Sequence, residues 1–175
     1  YTLNSQIPKE ADPDVRKQLT LSHLDQYDNH IQVYTDASVT PQGKAAIGLY
    51  SRELGICQNH RLTDDVSSDT AELYGIRQVL IELDRITSTR PSTHTHNTQT
   101  NILIITDSLS AVQHLDVTHI SDSPLGTQLQ NLLDTCTSRD LTIELVWIPA
   151  HIGIKGNQIA DNLARLGTTR DNIDI

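Results

Sequence analysis

Four carboxylates and one histidine stand where apolar runs end or helices begin. Asp36 closes one run in Tyr34-Thr35-Asp36-Ala37-Ser38, and Asp107 closes another in Ile104-Ile105-Thr106-Asp107-Ser108. The two segments share a grammar of apolar residues, then Thr, then Asp, then a small residue. If they are parallel neighbours, both carboxylates leave the sheet at one edge, where open α/β sheets place their ligands. Asp107 also precedes a helix and is placed to cap it. Asp36 precedes a turn and has less claim to that role. Glu72 falls in the first turn of a long helical pattern, where Asp69-Thr70-Ala71-Glu72 reads as a capping box. For Glu72 taken alone, the cap is the better reading. Asp161 lies among Ile159, Ala160, Leu163 and Ala164, on a side that leans toward burial, and an acid there needs a partner such as a cation. His151 sits in a loop shaped by Pro149, Gly153 and Gly156. A lone loop histidine is usually solvated, but this one comes ten residues before Asp161.

Acids gathered at one point repel, and without compensation some stay protonated. A hard divalent cation reverses that cost, and an all-oxygen ligand set selects Mg²⁺ or Mn²⁺ over Zn²⁺. Two such ions about 3.5–4 Å apart can activate a water and stabilise the leaving oxygen of a phosphodiester displacement. No Cys/His zinc spacing, glycine-rich phosphate loop or nucleophile elbow competes. His94 and His96, in the Thr-rich stretch Thr87–Thr100, read as solvated chain.

The elements that must position these groups follow from periodicity. Ile31, Val33 and Tyr34 predict a strand, followed by Ala45–Tyr50 and Ile56–Leu62, joined by tight turns into an antiparallel meander. From Thr70 to Ile86 the apolar residues fall at helical spacing. Thr87–Thr100 has little to bury and is expected to be a mobile loop. Asn101–Thr106 predicts a buried strand, and Ala111–Leu115 and Pro124–Thr137 two helices with a break near Ser121–Ser123. Leu141–Ile148 predicts a last strand and Ile159–Leu166 a last helix. Crossover helices after a meander require an α/β fold: a five-stranded mixed sheet with helices on its faces. Residues 1–28 are expected to be an extension or linker, with a short helix over Asp14–Tyr27. Residues 29–168 are then the domain and 169–175 a tail.

The chain has 175 residues and 37% hydrophobic content, enough for one core. Phe and Met are absent, so Leu, Ile, Val and Ala must build it. No apolar run approaches a membrane span and no secretory signal is visible, which points to an intracellular protein. The missing initiator Met suggests a piece of a longer polypeptide. Cys57 and Cys136 are expected to be free thiols. The net charge of −9 is unusual for a nucleic-acid binder, and no Lys or Arg occurs from Pro91 to Ser138. That balance suits a domain that meets phosphates through cations and leaves much of the grip to a neighbour.

Tyr-Thr-Asp-Ala-Ser, Thr-Ala-Glu-Leu, Thr-Asp-Ser-Leu-Ser-Ala and Trp-Ile-Pro-Ala-His-Ile-Gly-Ile-Lys-Gly-Asn-Gln-Ile-Ala-Asp, in that order, resemble the ribonuclease H family. The resemblance covers about His30–Gly167 and is closest in look to the domain of non-LTR (LINE-type) retrotransposon polyproteins. It implies a ribonuclease H-like fold and hydrolysis of the RNA strand of RNA·DNA hybrids with two Mg²⁺ ions, Mn²⁺ being an alternative. It implies metal-binding and catalytic roles for Asp36, Glu72, Asp107 and Asp161, and proton transfer or product departure for His151. The backbone around Ala37 and Ser38 matches the segment that reads the RNA 2′-hydroxyl. Trp147 matches a structural position. The implied partners are the hybrid and a tethered reverse transcriptase, with the isolated domain a monomer. Three departures stand out: Ala37 where Gly is usual, the Thr/His-rich insertion, and the absence of the basic protrusion of bacterial members.

Rival readings explain less. An inactive connection module normally lacks one or more acids, and all four are present. A transposase, integrase or resolvase of the same fold lacks the helix Glu and the His-loop-Asp ending. A flavodoxin-like binding protein would explain the paired strand-end Asp residues but not the meander or the His151–Asp161 segment.

Overall fold

Period-two alternation gives way to helical spacing midway along the chain, and the architecture follows that change. The computed structural model describes residues 11–89, 99–116 and 123–175. The strands are β1 (Ile31–Val39), β2 (Ala45–Ser51), β3 (Ile56–Arg61), β4 (Thr100–Thr106) and β5 (Leu141–Trp147). The helices are α1 (Pro13–Leu24), α2 (Ser68–Ser88), α3 (Leu109–Asp116), α4 (Pro124–Ser138) and α5 (Lys155–Gly167). They build the expected five-stranded mixed sheet, in the order β3-β2-β1-β4-β5, with β1–β2 and β2–β3 antiparallel and β1–β4 and β4–β5 parallel.

The sheet has apolar residues on both faces, and each face has its own helical cover. Val33, Leu49, Ile102, Ile104 and Leu145 pack with Ile76, Val79, Leu80 and Leu83 of α2, and with Val112 and Leu129. On the other face Tyr34, Leu103, Ile105 and Val146 pack with Ala160 of α5, with Ile152 and Ile154, and with Leu24 and Tyr27. Leu24 ends α1 and Tyr27 ends a 3-10 turn (Asp25–Tyr27), so the expected extension puts two side chains into the core. His30 fixes that entry, stacking edge-on against Tyr27 and bonding Glu144 at 3.1 Å. Among the described residues no helix is long and apolar enough to cross a membrane. Cys57 and Cys136 are free.

Several boundaries differ from the periodicity reading. β1 runs three residues past Asp36, which therefore lies inside the strand and pairs with Gly48 of β2. α2 starts at Ser68, and its N-cap is Ser67, whose hydroxyl accepts from Thr70 N at 3.2 Å. The expected capping box is two residues out of place, which releases Glu72 from any capping duty. α5 starts at Lys155, four residues before the apolar periodicity begins, because Gly156 lies against the Tyr34 ring where a β-carbon would clash. Packing overrides the weak helix propensity of Gly156 and Asn157. Residues 169–175 are docked: the Asp174 and Ile175 amides donate to the Arg61 carbonyl, and the Arg61 amide donates to Asp174 Oδ2. His94, His96 and the segment just before Ser123 lie outside the described residues.

α5 approaches β2 so closely that Gly48 leaves no room for a side chain. A β-carbon there would land on the Ala160 carbonyl oxygen and 2.6 Å from Ala164 N. Backbone atoms cannot step aside, so Gly48→Ala is expected to cost about 1–3 kcal/mol or more, as overpacked cores do. Urea unfolding checks this, and a change under about 0.5 kcal/mol would mean that α5 is free to lift.

Candidate active site

Parallel pairing decides where the strand acids go. The β1–β4 register sets Tyr34 opposite Ile105, and two residues further along it brings Asp36 level with Asp107. Both stand just past the last parallel pair of β1 and β4, near the edge where such sheets keep their sites. Glu72 reaches the same point from α2. One carboxylate oxygen from each of Asp36, Glu72 and Asp107 lies within 4.8 Å of the others. Asp36 is 6% exposed and Glu72 8%, so water screens this repulsion poorly.

The cost appears in their protonation. Burial, followed by the Asp107 charge, raises the Asp36 carboxyl to about 7, although it accepts the Ala37 N–H at 2.7 Å. Burial and the charges of Asp36 and Asp107 raise Glu72 to about 9. Burial also raises Asp107, opposed by a hydrogen bond from Asn157 Nδ2 at 2.9 Å and by the His151 charge. Glu72 Oε2 is buried without a hydrogen-bond partner. An orphaned carboxylate oxygen beside two further carboxylates is an oxygen-donor set suited to a hard divalent cation.

Asp161 and His151 approach this triad from α5 and its entry loop. Asp161 lies outside the 4.8 Å group, yet its charge also raises Asp36. Its Oδ1 accepts from Arg165 Nε, one turn along α5, at 2.9 Å. His151 is exposed with φ 56°, a left-handed conformation, and shares a small surface pocket with Asn157 and Asp161. Gly153, at φ 81°, completes the bend. Asp107 does not cap α3; Ser108 Oγ takes that place, accepting from Ala111 N at 3.3 Å. Trp147 Nε1 donates to the Asp107 carbonyl at 3.0 Å and so fixes the strand end that carries the acid.

Residues 28–169 match the RNase H family. The chain belongs to the RNase H family. No curated protein matches it. RNase H domains use divalent metals, and the Asp36, Glu72 and Asp107 cluster could hold one. Ala37, where this family usually has Gly, keeps a negative φ, and its methyl packs beside Ala45, Ile47, Leu62 and Ala71. Its amide, expected near the RNA, donates to Asp36. Ser38 follows, half-buried on the same strand.

The sequence reading missed Asn157. It was hidden because α5 was expected to start later, which left Asn157 in a loop. The usable signal was an amide side chain four residues before Asp161, on the same helical face. Its Oδ1 is buried and unpartnered, so Nδ2 is the end that holds Asp107. Asn157→Ala is expected to weaken divalent-cation affinity about 10–100-fold, the usual effect of losing a group that orients a ligand. Calorimetric titration with Mn²⁺ measures it, and unchanged affinity would remove Asn157 from the site.

Raised carboxyls also set a pH dependence. The unfolded chain releases these protons near pH 4, whereas folded Asp36 holds its proton to about 7 and Glu72 to about 9. The unfolded state therefore binds fewer protons between those limits, and the triad's contribution to stability falls as pH rises. Without metal, melting temperature should drop from about pH 5 to 8 more steeply than in Asp107→Asn, where one repelling charge is gone. Millimolar Mg²⁺ or Mn²⁺ should raise it, and more at the higher pH. Parallel melting curves with and without metal would sink this account.

Proposed function

We propose that this RNase H domain is an endonuclease that hydrolyses the RNA strand of RNA·DNA hybrids, with Mg²⁺ held by Asp36, Glu72, Asp107 and Asp161. The observation that carries it is the triad itself: two buried carboxylates, Asp36 and Glu72, and the half-buried Asp107 converge from different parts of the chain, one oxygen has no partner, and the cluster lies at a sheet edge. Bound there, two divalent ions would supply the nucleophilic water and neutralise charge on the leaving 3′-oxygen. Mn²⁺ is the alternative occupant, since the donors are all oxygen.

The side chains have distinct tasks in this reading. Asp36 and Asp107, fixed by neighbouring strands, bind and orient the cations. Glu72 adds the third charge from α2 and binds in its deprotonated form. Asp161 completes the set by exchanging its Arg165 contact for the cation. His151, on the exposed bend, moves a proton at the leaving oxygen or eases product departure. The Ala37–Ser38 backbone runs along the RNA strand and reads its 2′-hydroxyl.

The charge balance supports a wider context. A chain of net charge −9 holds a polyanion weakly, which favours a domain tethered to a reverse transcriptase in an intracellular retrotransposon polyprotein, monomeric when isolated.

The deciding experiment incubates the chain with a strand-labelled RNA·DNA hybrid, with and without Mg²⁺, beside Asp107→Asn. Cutting of the RNA strand alone, absent without metal and reduced more than about 100-fold in the variant, is expected. A folded protein that leaves the hybrid intact in both Mg²⁺ and Mn²⁺ would favour an inactive connection module.

A further inference from the structure

Among the described residues, most cations are already committed. Lys44, Arg61, Arg85, Arg139, Arg165 and Arg170 each pair with an acid. Arg77 donates to Gln128 and lies over the Tyr74 ring. Among the described residues, Arg16, Lys17, Arg52 and Lys155 have no acidic partner. Arg52 sits in the β2–β3 turn, at the end of the sheet opposite Asp107. Lys155 directly follows the His151 loop as the first residue of α5. Arg16 and Lys17 are neighbours on α1, which lies before the stretch that matches the RNase H family.

Lys17 is the one that reaches the site from far along the chain. Its ammonium lies 3.3 Å from where a β-carbon on Gly153 would stand, and its Cε and Cδ lie at 3.6 and 3.7 Å. The lysine stem therefore covers the bend that carries His151, and its half-buried position ends at that loop. α1 is held there by Leu24 and the turn after it by Tyr27, both in one cluster with Ile152 and Ile154 of the same loop. Arg16 adds a second signal: its Nε is buried with no hydrogen-bond partner, so a donor is left without an acceptor. Two cations without an acidic partner therefore lie on one helix, and one of them, Lys17, lies against the His151 loop.

We propose that α1 provides a phosphate-binding contact for the hybrid, with Lys17 holding a backbone phosphate next to the His151 loop and Arg16 and Lys155 assisting. This rests on the reading of the chain as an RNase H acting on RNA·DNA hybrids. Phosphates lie along each strand at short, regular intervals, so a duplex seated on the triad carries further phosphates across neighbouring surfaces. Lys17 is a positioning residue in this scheme and touches no reacting atom. It makes the segment outside the family match part of substrate binding, in a chain that has few other free cations.

The test measures binding of a fluorescently labelled RNA·DNA hybrid to the full chain by anisotropy, from low to moderate salt. It compares wild type, Lys17→Gln, Lys17→Arg and Arg52→Gln, with melting curves to show that each is folded. Each phosphate contact contributes about 0.9 to the slope of log affinity against log salt. Lys17→Gln is expected to lower that slope by about 1 and to weaken binding at low salt, while Lys17→Arg retains both and Arg52→Gln changes neither. In cleavage assays Lys17→Gln should raise KM several-fold with kcat within about two-fold, the pattern of a lost uniform binding contact. A wild-type slope in folded Lys17→Gln overturns the α1 contact and leaves the nuclease reading standing. Equal losses in Lys17→Gln and Arg52→Gln overturn it in favour of net charge alone. A wild-type chain that neither binds nor cuts the hybrid removes the nuclease reading, and this contact with it.

Discussion

Three carboxylates share one small, poorly hydrated volume, and the surrounding structure is arranged to tolerate that arrangement. Like charges at such distances cannot all ionise without help, and burial removes the water that would screen them. The chain answers with fixed groups: the Ala37 amide on Asp36, the Asn157 amide on Asp107, and Trp147 on the Asp107 carbonyl. These bonds hold the acids in place but do not neutralise them, and Glu72 Oε2 is left with no partner. A divalent cation bound at such a centre would relieve this repulsion. Carboxylates perturbed by burial and by one another at a sheet edge make this cluster a candidate functional site.

Close packing of α5 on the sheet transmits this requirement to the rest of the molecule. Gly48 pairs with Asp36 across β1–β2 and also permits the backbone of α5 to approach at Ala160 and Ala164. The strand that carries one acid and the helix that carries Asn157 and Asp161 are therefore registered through a single glycine. Tyr34 and Gly156 repeat the arrangement nearer the helix start. The His151 loop is fixed between these contacts and α1, with its left-handed bend supported by Ile152 and Ile154 in the core.

Charge is distributed as unevenly as packing. The surface cations are largely consumed by local ion pairs, most of them exposed and individually weak. Arg61 is the exception: fully buried, it bonds the Ala45 and Leu62 carbonyls, the Asp64 carboxylate and the Arg170 carbonyl. That network holds residues 170–175 against the end of β3 and is structural. Among the described residues the cations without an acidic partner are few, and two of them, Lys17 and Lys155, lie beside the loop that carries His151.

The sequence by itself determined the element types, the mixed sheet and the identities of the acids, because these rest on local periodicity and on residue chemistry. The repeated Thr-Asp grammar at Asp36 and Asp107 pointed to a shared edge only if the two strands were parallel neighbours, a condition that the β1–β4 pairing meets. Glu72 was ambiguous, because a helix start and a ligand look alike when the N-cap is misplaced by two residues. Only the tertiary structure decided that Asn157 holds Asp107 and that Lys17 lies over Gly153. Each of these depends on how near one backbone comes to another. That distance is set by small residues and packed volumes at positions far apart in the chain, and no local pattern encodes it.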